Sequence, residues 1–387
     1  MSHVYGVSPN DPFVQAAVQV AREVAGPHAA DVDQKARFPR ESLAALQAQG
    51  LAGLTVPTDL GGKGQGPRVF SAVVEELAKS CASTAMVYVM HVAASAPIIA
   101  SKTLGSRTQV LRDIAAGKHL TTLAFSEKGS RSIFWIPMSK LDPSGSDFRT
   151  SAQKSWVTSA GNADSYVSSA GLPGAKSPLE SILYLLDRKS GGVKITSPFE
   201  GMGLRGNDSA PVALENVKVA KEALLCAPGE GIKAMLEIVL PWFSIGTAAM
   251  AHGVCLAAVG ATAGHLSGSG FEFNASKLRD LPNLRSRLAE MSVRTEQSRA
   301  LLGYTLGLME KPSEITPLYV LQSRLAAIRA AVDVTDLAMK TCGGAAFSRH
   351  LPLERLFRDA RAGWVMAPTV DHLEDLVGKA LTGLPLL

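Results

Sequence analysis

The 387-residue chain predicts an α+β fold in three parts: an N-terminal helical domain (1–118), a small antiparallel β-barrel or sandwich domain (119–228) and a C-terminal four-helix bundle (229–387). Three observations carry this expectation. Apolar residues recur with helical periodicity up to about residue 118 and again from about 229. Between those limits lie short runs rich in Thr, Ser, Val and Tyr, broken by Gly, Pro and Ser, as successive strands are. No helical pattern separates those runs, so antiparallel pairing is expected rather than a β-α-β sheet.

Each element has a local reason. PRESLAALQAQG (39–50) opens on Pro39 and stops at Gly50, the usual asymmetry of helix ends. The glycines and prolines of LAGLTVPTDLGGKGQGP (51–67) make a loop, and a helix follows from about Arg68 to Lys79. From Cys81 to Leu104 the only side chain before Lys102 that can carry a charge near neutral pH is His91, and a helix apolar all round belongs in an interior. TQVLRDIAAGK (108–118) closes the helical part. The strand candidates are HLTTLAFSE, FRTSAQKSWVTSA, DSYVSSAG, SILYLLDRK, GVKITSPF and SAPVALENVKVA. Helices are expected again over 231–266, 282–309, 314–342 and 368–382, and their short connections imply antiparallel packing.

Composition excludes several function classes. Hydrophobic residues make up 46% and charged residues 19%, which describes a packed globular chain. Against 34 acidic residues stand 39 basic ones, a net charge of only +5, with no basic block interleaved with aromatics, so no nucleic-acid partner is expected. MSHVYGVSPNDPF lacks the pattern of a signal peptide. Lys233, Glu237, Pro241 and His252 interrupt the longest apolar tract, which predicts a core helix and no membrane insertion. The four cysteines show no CxxC and no ligand spacing, so no metal site is expected and a reducing, cytoplasmic setting is.

Several stretches, in order, resemble the acyl-CoA dehydrogenase family over nearly the whole chain. They are GLAGLTVPTDLGGKG (50–64), KSWVTSAGNADSYV (154–167), GMGLRGNDSAPV (201–212), ENVKVA (215–220), APGEG (227–231) and CGGAAFSRHLPLERLFRDAR (342–361). The resemblance implies FAD between the β domain and the bundle, a homo-oligomer (dimer or tetramer, usually a homotetramer), an electron acceptor and a small-molecule substrate such as an acyl thioester. It implies cofactor roles for Phe125, Ser126 and Ser132 in FSEKGSRS, with Ser126 at the flavin ring and Ser132 at the pyrophosphate. Trp156 and Thr158, two apart on one strand and so expected on one face, would pack on the flavin and hydrogen-bond to it. Gly343 and Gly344 would let backbone approach the FAD of a neighbouring subunit, and Thr369 would touch the flavin. The pattern is also broken: Ile133 stands where an Asp is usual, Lys340 where a Gln is usual, and GSGFEFNA (268–275) lacks an expected arginine.

The catalytic slots are the main departure. Taking the weakly acidic α-proton of a thioester needs a positioned base, commonly a carboxylate with a pKa raised by burial. The resemblance places that glutamate at the start of the last helix, where this chain reads Ala367, Pro368, Thr369. The alternative place, on the first bundle helix, holds Pro241, Trp242 and Phe243, with Glu237 more than one turn away. No catalytic base is therefore identified. Asp371 reads as a helix-start residue, His372 serves only if its face turns inward, and His91 is the remaining titratable candidate. Arg358 and Asp359 are expected to form a structural ion pair.

Overall fold

The computed structural model describes residues 3–177 and 179–386. Its N-terminal part comprises α1 (Pro12–Val20), α2 (Gly26–Gln34), α3 (Arg40–Ala48), α4 (Pro67–Ser80), α5 (Ala82–Ala100) and α6 (Arg107–Ala115). The Asp11 side chain accepts the Phe13 and Val14 N–H groups and so fixes the start of α1. Every residue of α5 from Ala82 to Ile98 is buried, as its uncharged sequence demands.

Among the described residues seven strands follow: β1 (Thr121–Ala124), β2 (Asp142–Ser144), β3 (Asp147–Val157), β4 (Ser165–Gly171), β5 (Ser181–Asp187), β6 (Val193–Ile195) and β7 (Ala210–Val219). They form two small sheets, β1-β4-β5 and β2-β3-β7-β6. Pairing is antiparallel throughout except between β1 and β4, which run parallel with Thr121 opposite Ser165. Strictly antiparallel pairing was the expectation. The exception arises because the chain leaves β1, builds β2 and β3 in the other sheet, and returns beside β1 in the same direction. β2, three exposed residues, has no sequence signal of its own.

The C-terminal part begins with α7 (Gly231–Lys233), which runs through a π-helical stretch (Ala234–Val239) into α8 (Leu240–Gly268). Then come α9 (Pro282–Glu310), α10 (Thr316–Cys342), the short α11 (Gly344–Phe347), α12 (Leu353–Val365) and α13 (Val370–Thr382). α8 packs against α4, α5, α9, α10 and α12 and is the axis of the fold. Among the described residues two helical stretches are apolar and long enough to cross a membrane, Ala82–Ala100 and Gly231–Gly268, and both are mostly buried inside the protein.

Polar groups lock the parts together. Glu75 on α4 is fully buried; its carboxylate accepts from Tyr5 Oη (2.5 Å) and from Arg299 Nε and Nη2 of α9 (2.9 and 2.7 Å). Burial alone would raise its pKa, but the bonds from His3 and Arg299 outweigh that and hold it well below the usual range. His3, Glu75 and Glu76 have metal-like spacing. The Arg299 guanidinium already takes the Glu75 oxygens, so this cluster is an ion-pair network. The expected Arg358–Asp359 pair does not form. Neighbours on a helix point about 100° apart: Arg358 grips Asp33 of α2 with two nitrogens (2.8 and 2.6 Å), while Asp359 accepts the Leu204 N–H at 2.6 Å. Burial raises the Asp359 pKa to about 6 despite that bond.

Candidate active site

A cavity of ≈ 1140 Å³ lies where the β sheets meet the bundle. Met86 and Met90, one turn apart on α5, form part of one wall. Leu240 and Phe243 from the start of α8 form another, and residues from Arg361 to Ala367 at the end of α12 close a third. The β domain contributes Phe125, Ser126, Ser132, Trp156, Thr158, Asn207 and Ser209. Five of the eight expected cofactor residues are thus gathered at one cavity.

The bulge in β3 is what aims Trp156. Register with β7 shifts between Lys154 and Val157, and Trp156 takes a positive φ of 57°. Simple alternation, which would put Trp156 and Thr158 on one face, therefore fails here. Trp156 stands 70% exposed, edge-on to Phe199, whereas Thr158 is buried and shares a hydrogen bond with Ser209 (Oγ1–Oγ 2.9 Å). Both still reach the cavity, because the bulge turns the strand at that point. Asn207 beside them is buried, and its Oδ1 has no partner among the described residues.

The segment after β1 runs along β3: Ser155 N–H donates to Ser126 O (2.8 Å) and Lys128 N–H to Gln153 O (2.9 Å). A buried ion pair holds it there. Lys154 Nζ donates to Glu127 Oε1 (2.6 Å) and to Ser169 O (2.8 Å); Glu127 also accepts the Met138 and Ser139 N–H groups and the Ser139 hydroxyl. Burial lowers the Lys154 pKa while Glu127 opposes the shift. Glu127 lines the cavity, yet these contacts bind its carboxylate fully. The apolar run Ile133–Ile136 folds inward: Phe134 stacks on Phe125 and meets Trp135 edge-on.

Three expected cofactor residues lie elsewhere. Gly343 and Gly344 are exposed at the end of α10, where Gly343 (φ 55°) stops the helix. Thr369 occupies the position before α13 and does not line the cavity. Gly343 and Gly344 were expected at the FAD of a neighbouring subunit rather than in this cavity; the position of Thr369 off the cavity depends on how the bundle helices pack.

The catalytic candidates separate clearly. Ala367 does line the cavity, so the slot is present and holds a methyl group. At the alternative slot the wall residue is Phe243; Trp242, one position earlier, turns away and packs edge-on against Phe70 of α4. His91 is not at the cavity. Its Nε2 bonds Ala52 O (3.0 Å) and its Nδ1 accepts the Thr121 N–H (3.2 Å). Burial lowers its pKa to about 4. It is a neutral clamp between α5, the 51–53 turn and β1, so its candidacy as a base is withdrawn. His372 sits edge-on to Trp135 outside the cavity wall, and Glu237 and Asp371 are exposed. Glu200, the remaining acid of the lining, is exposed at its rim.

One residue escaped sequence reasoning. Arg324 of α10 is fully buried beside this wall: Nη2 donates to Met366 O (3.1 Å) and the guanidinium lies 4.8 Å from the centre of the Phe243 ring. Its Nε and Nη1 have no partner among the described residues. The signal was available, because Arg324 shares a helical face with Leu321, Leu325 and Ile328, all buried.

Comparison with known proteins fits this geometry. Residues 10–118 match the model of the acyl-CoA dehydrogenase N-terminal domain and residues 229–381 that of the acyl-CoA dehydrogenase C-terminal domain, together more than half of the chain. The chain belongs to the acyl-CoA dehydrogenase family. A relative described as a probable acyl-CoA dehydrogenase, from Mycobacterium leprae (strain TN), is 26% identical over 94% of this chain and 92% of its own. Butyryl-CoA dehydrogenase from Megasphaera elsdenii shares the fold with a TM-score of 0.91 and 21% identity, covering 99% of both chains. The prolyl acyl carrier protein oxidase AnaB aligns with a TM-score of 0.87 and 19% identity over 95% of this chain and 97% of its own. The family is one of FAD-dependent flavoprotein oxidoreductases.

Proposed function

We propose that this chain binds FAD in the cavity and acts as a flavin-dependent oxidoreductase on an acyl thioester, without a carboxylate base at either expected position. The observation that carries the reading is Ala367: it faces the cavity, while Phe243 fills the alternative slot. The relatives' printed names include a CoA thioester dehydrogenase and an acyl carrier protein oxidase, which supports a thioester and leaves its carrier open.

The residues present fit a flavin. The Trp156 ring offers an exposed aromatic plane, and the unpartnered Asn207 Oδ1 together with the Thr158–Ser209 hydroxyl pair supplies polar atoms for a heterocycle edge. Ser126, Ser132 and the exposed cations Lys128 and Arg131 suit the phosphate part. Bound FAD would supply the hydride acceptor. The protein's own share is to seat the acyl group between Met86, Met90, Leu240 and Phe243 and to exclude water there. We further propose a homo-oligomer, a dimer or tetramer, that passes electrons to a separate acceptor. The exposed Gly343–Gly344 backbone and the exposed Phe347 support such a contact.

A general base contributes about 10²–10⁴-fold. Purified protein is therefore expected to be yellow and to be bleached by butyryl- or octanoyl-CoA under anaerobic conditions only slowly. Robust turnover of these straight-chain thioesters would overturn the nonstandard site. Colourless protein that takes up no FAD would overturn the cofactor. The absent base also favours a second reading, a flavin monooxygenase of the same fold, since oxygen activation needs no α-proton abstraction. Turnover that requires both reduced flavin and O₂ selects it.

A further inference from the structure

We infer that the cavity receives a ligand bearing a carboxylate at its inner end, and that Arg324 is the cation that meets it. The inference deepens the proposed thioester reading by naming the substrate class: an acyl group with a second, free carboxylate.

The argument starts from a charge without a partner. Arg324 is 0% exposed, and no acidic side chain forms an ion pair with it among the described residues. Burial holds its guanidinium down to about 9 with nothing opposing. An uncompensated buried cation costs several kcal/mol, roughly, and is rare unless an anion joins it. Its single hydrogen bond of good length, to Met366 O, uses Nη2 only; Nε and Nη1 remain free. Among the described residues the other fully buried cation, Lys154, is matched by Glu127, and the partly buried Arg299 is matched by Glu75.

Place then decides what the anion is. Arg324 lies immediately behind three cavity-lining residues, Phe243, Met366 and Ala367. The cavity's own acids cannot serve it, since Glu127 is held by Lys154 and Glu200 is exposed at the rim. The lining residues contributed by α5 and the start of α8, Met86, Met90, Leu240 and Phe243, are apolar. In such surroundings a carboxylate and a guanidinium attract far more strongly than in water. A neutral acyl chain would leave the cation as it is, whereas an anionic terminus set against Ala367 compensates it.

The test compares matched ligands on flavin-loaded protein. Affinities of succinyl-CoA and butyryl-CoA are measured by calorimetry and by perturbation of the flavin spectrum. The anionic thioester is expected to bind at least tenfold tighter to the wild type, with that ratio lost in Arg324→Met and largely kept in Arg324→Lys. Free dicarboxylates of three to six carbons and their monocarboxylate counterparts are run in parallel by thermal shift. Stabilisation by a dicarboxylate in the wild type but not in Arg324→Met supports the site even if no thioester binds, an outcome that would instead discard the thioester reading. Equal affinities together with no dicarboxylate shift, or a shift unchanged in Arg324→Met, overturn the inference and leave water as the partner of Arg324. Arg324→Met replaces a buried charge by an apolar side chain of similar length and is expected to fold.

Discussion

The Glu127–Lys154 pair shapes the β-domain wall of the cavity, and cutting it has a cost that can be worked out in advance. Both side chains are almost fully buried and meet at 2.6 Å. Removing one partner of a buried pair costs about 3–5 kcal/mol, because the other charge is left behind. In Lys154→Met the Glu127 carboxylate keeps three donors, from Met138 N–H, Ser139 N–H and the Ser139 hydroxyl. The lower end, about 3 kcal/mol, is therefore expected. The sign of the pH dependence is sharper than the size. In Glu127→Gln the uncompensated Lys154 has a still lower folded-state pKa, so that penalty shrinks as pH rises. Guanidinium unfolding followed by tryptophan fluorescence, at pH 5, 7 and 9, reads both. A loss below about 1 kcal/mol in Lys154→Met, or a Glu127→Gln penalty that does not shrink as pH rises, refutes the pair as the anchor of the 127–140 segment.

Other consequences are equally direct. His91 and His252, both lowered to about 4 by burial, lose their stabilising contribution as pH falls below 6.5 towards 4, whereas Asp359, raised to about 6, gains one as pH falls through 6. From pH 7 to pH 5 these three groups sum to a net loss of roughly 2 kcal/mol, and Asp359→Asn should deepen it by about 1 kcal/mol in pH-resolved denaturation curves. His91→Phe orphans the Thr121 N–H and Ala52 carbonyl and is expected to cost about 1–3 kcal/mol of stability while leaving the rate of flavin bleaching unchanged. A slowed chemical step with normal stability would restore His91 as a base. Trp156→Ala should weaken FAD binding by roughly 2- to 13-fold, the worth of an aromatic contact. Unchanged affinity in a flavin-release titration removes Trp156 from the site.

Much of the architecture was legible in the chain because it follows from local pattern. The uncharged run at 82–98 had to be an interior helix, and the Thr/Val-rich runs between glycines had to be strands. The missing carboxylate was legible too, since Ala367 can be read from the sequence alone. What escaped depended on groups far apart in the chain. The parallel β1–β4 pair is set by where the chain returns after leaving the sheet. The bulge that turns Trp156 outward comes from the match of β3 to β7, some fifty residues later, and simple alternation is blind to it. His91 was the remaining titratable candidate of the sequence, and which partners hold its two nitrogens, Ala52 and Thr121, depends on the packing of distant segments.

By itself, then, the sequence determined the order of helices and strands, the family likeness and the absence of an acid at the expected slots. The order of elements is a matter of composition and periodicity, which are properties of neighbours along the chain; the likeness and the slots without an acid rest on motifs that resemble the family's. Tertiary structure alone decided that Phe243 rather than Trp242 faces the cavity, that Arg358 pairs with Asp33 rather than Asp359, and that Arg324 is buried without an anion beside the Ala367 wall. Direction and burial of a side chain depend on what packs against it. A one-residue step turns a helical side chain by about 100°, so only the packed molecule shows which residue meets the substrate.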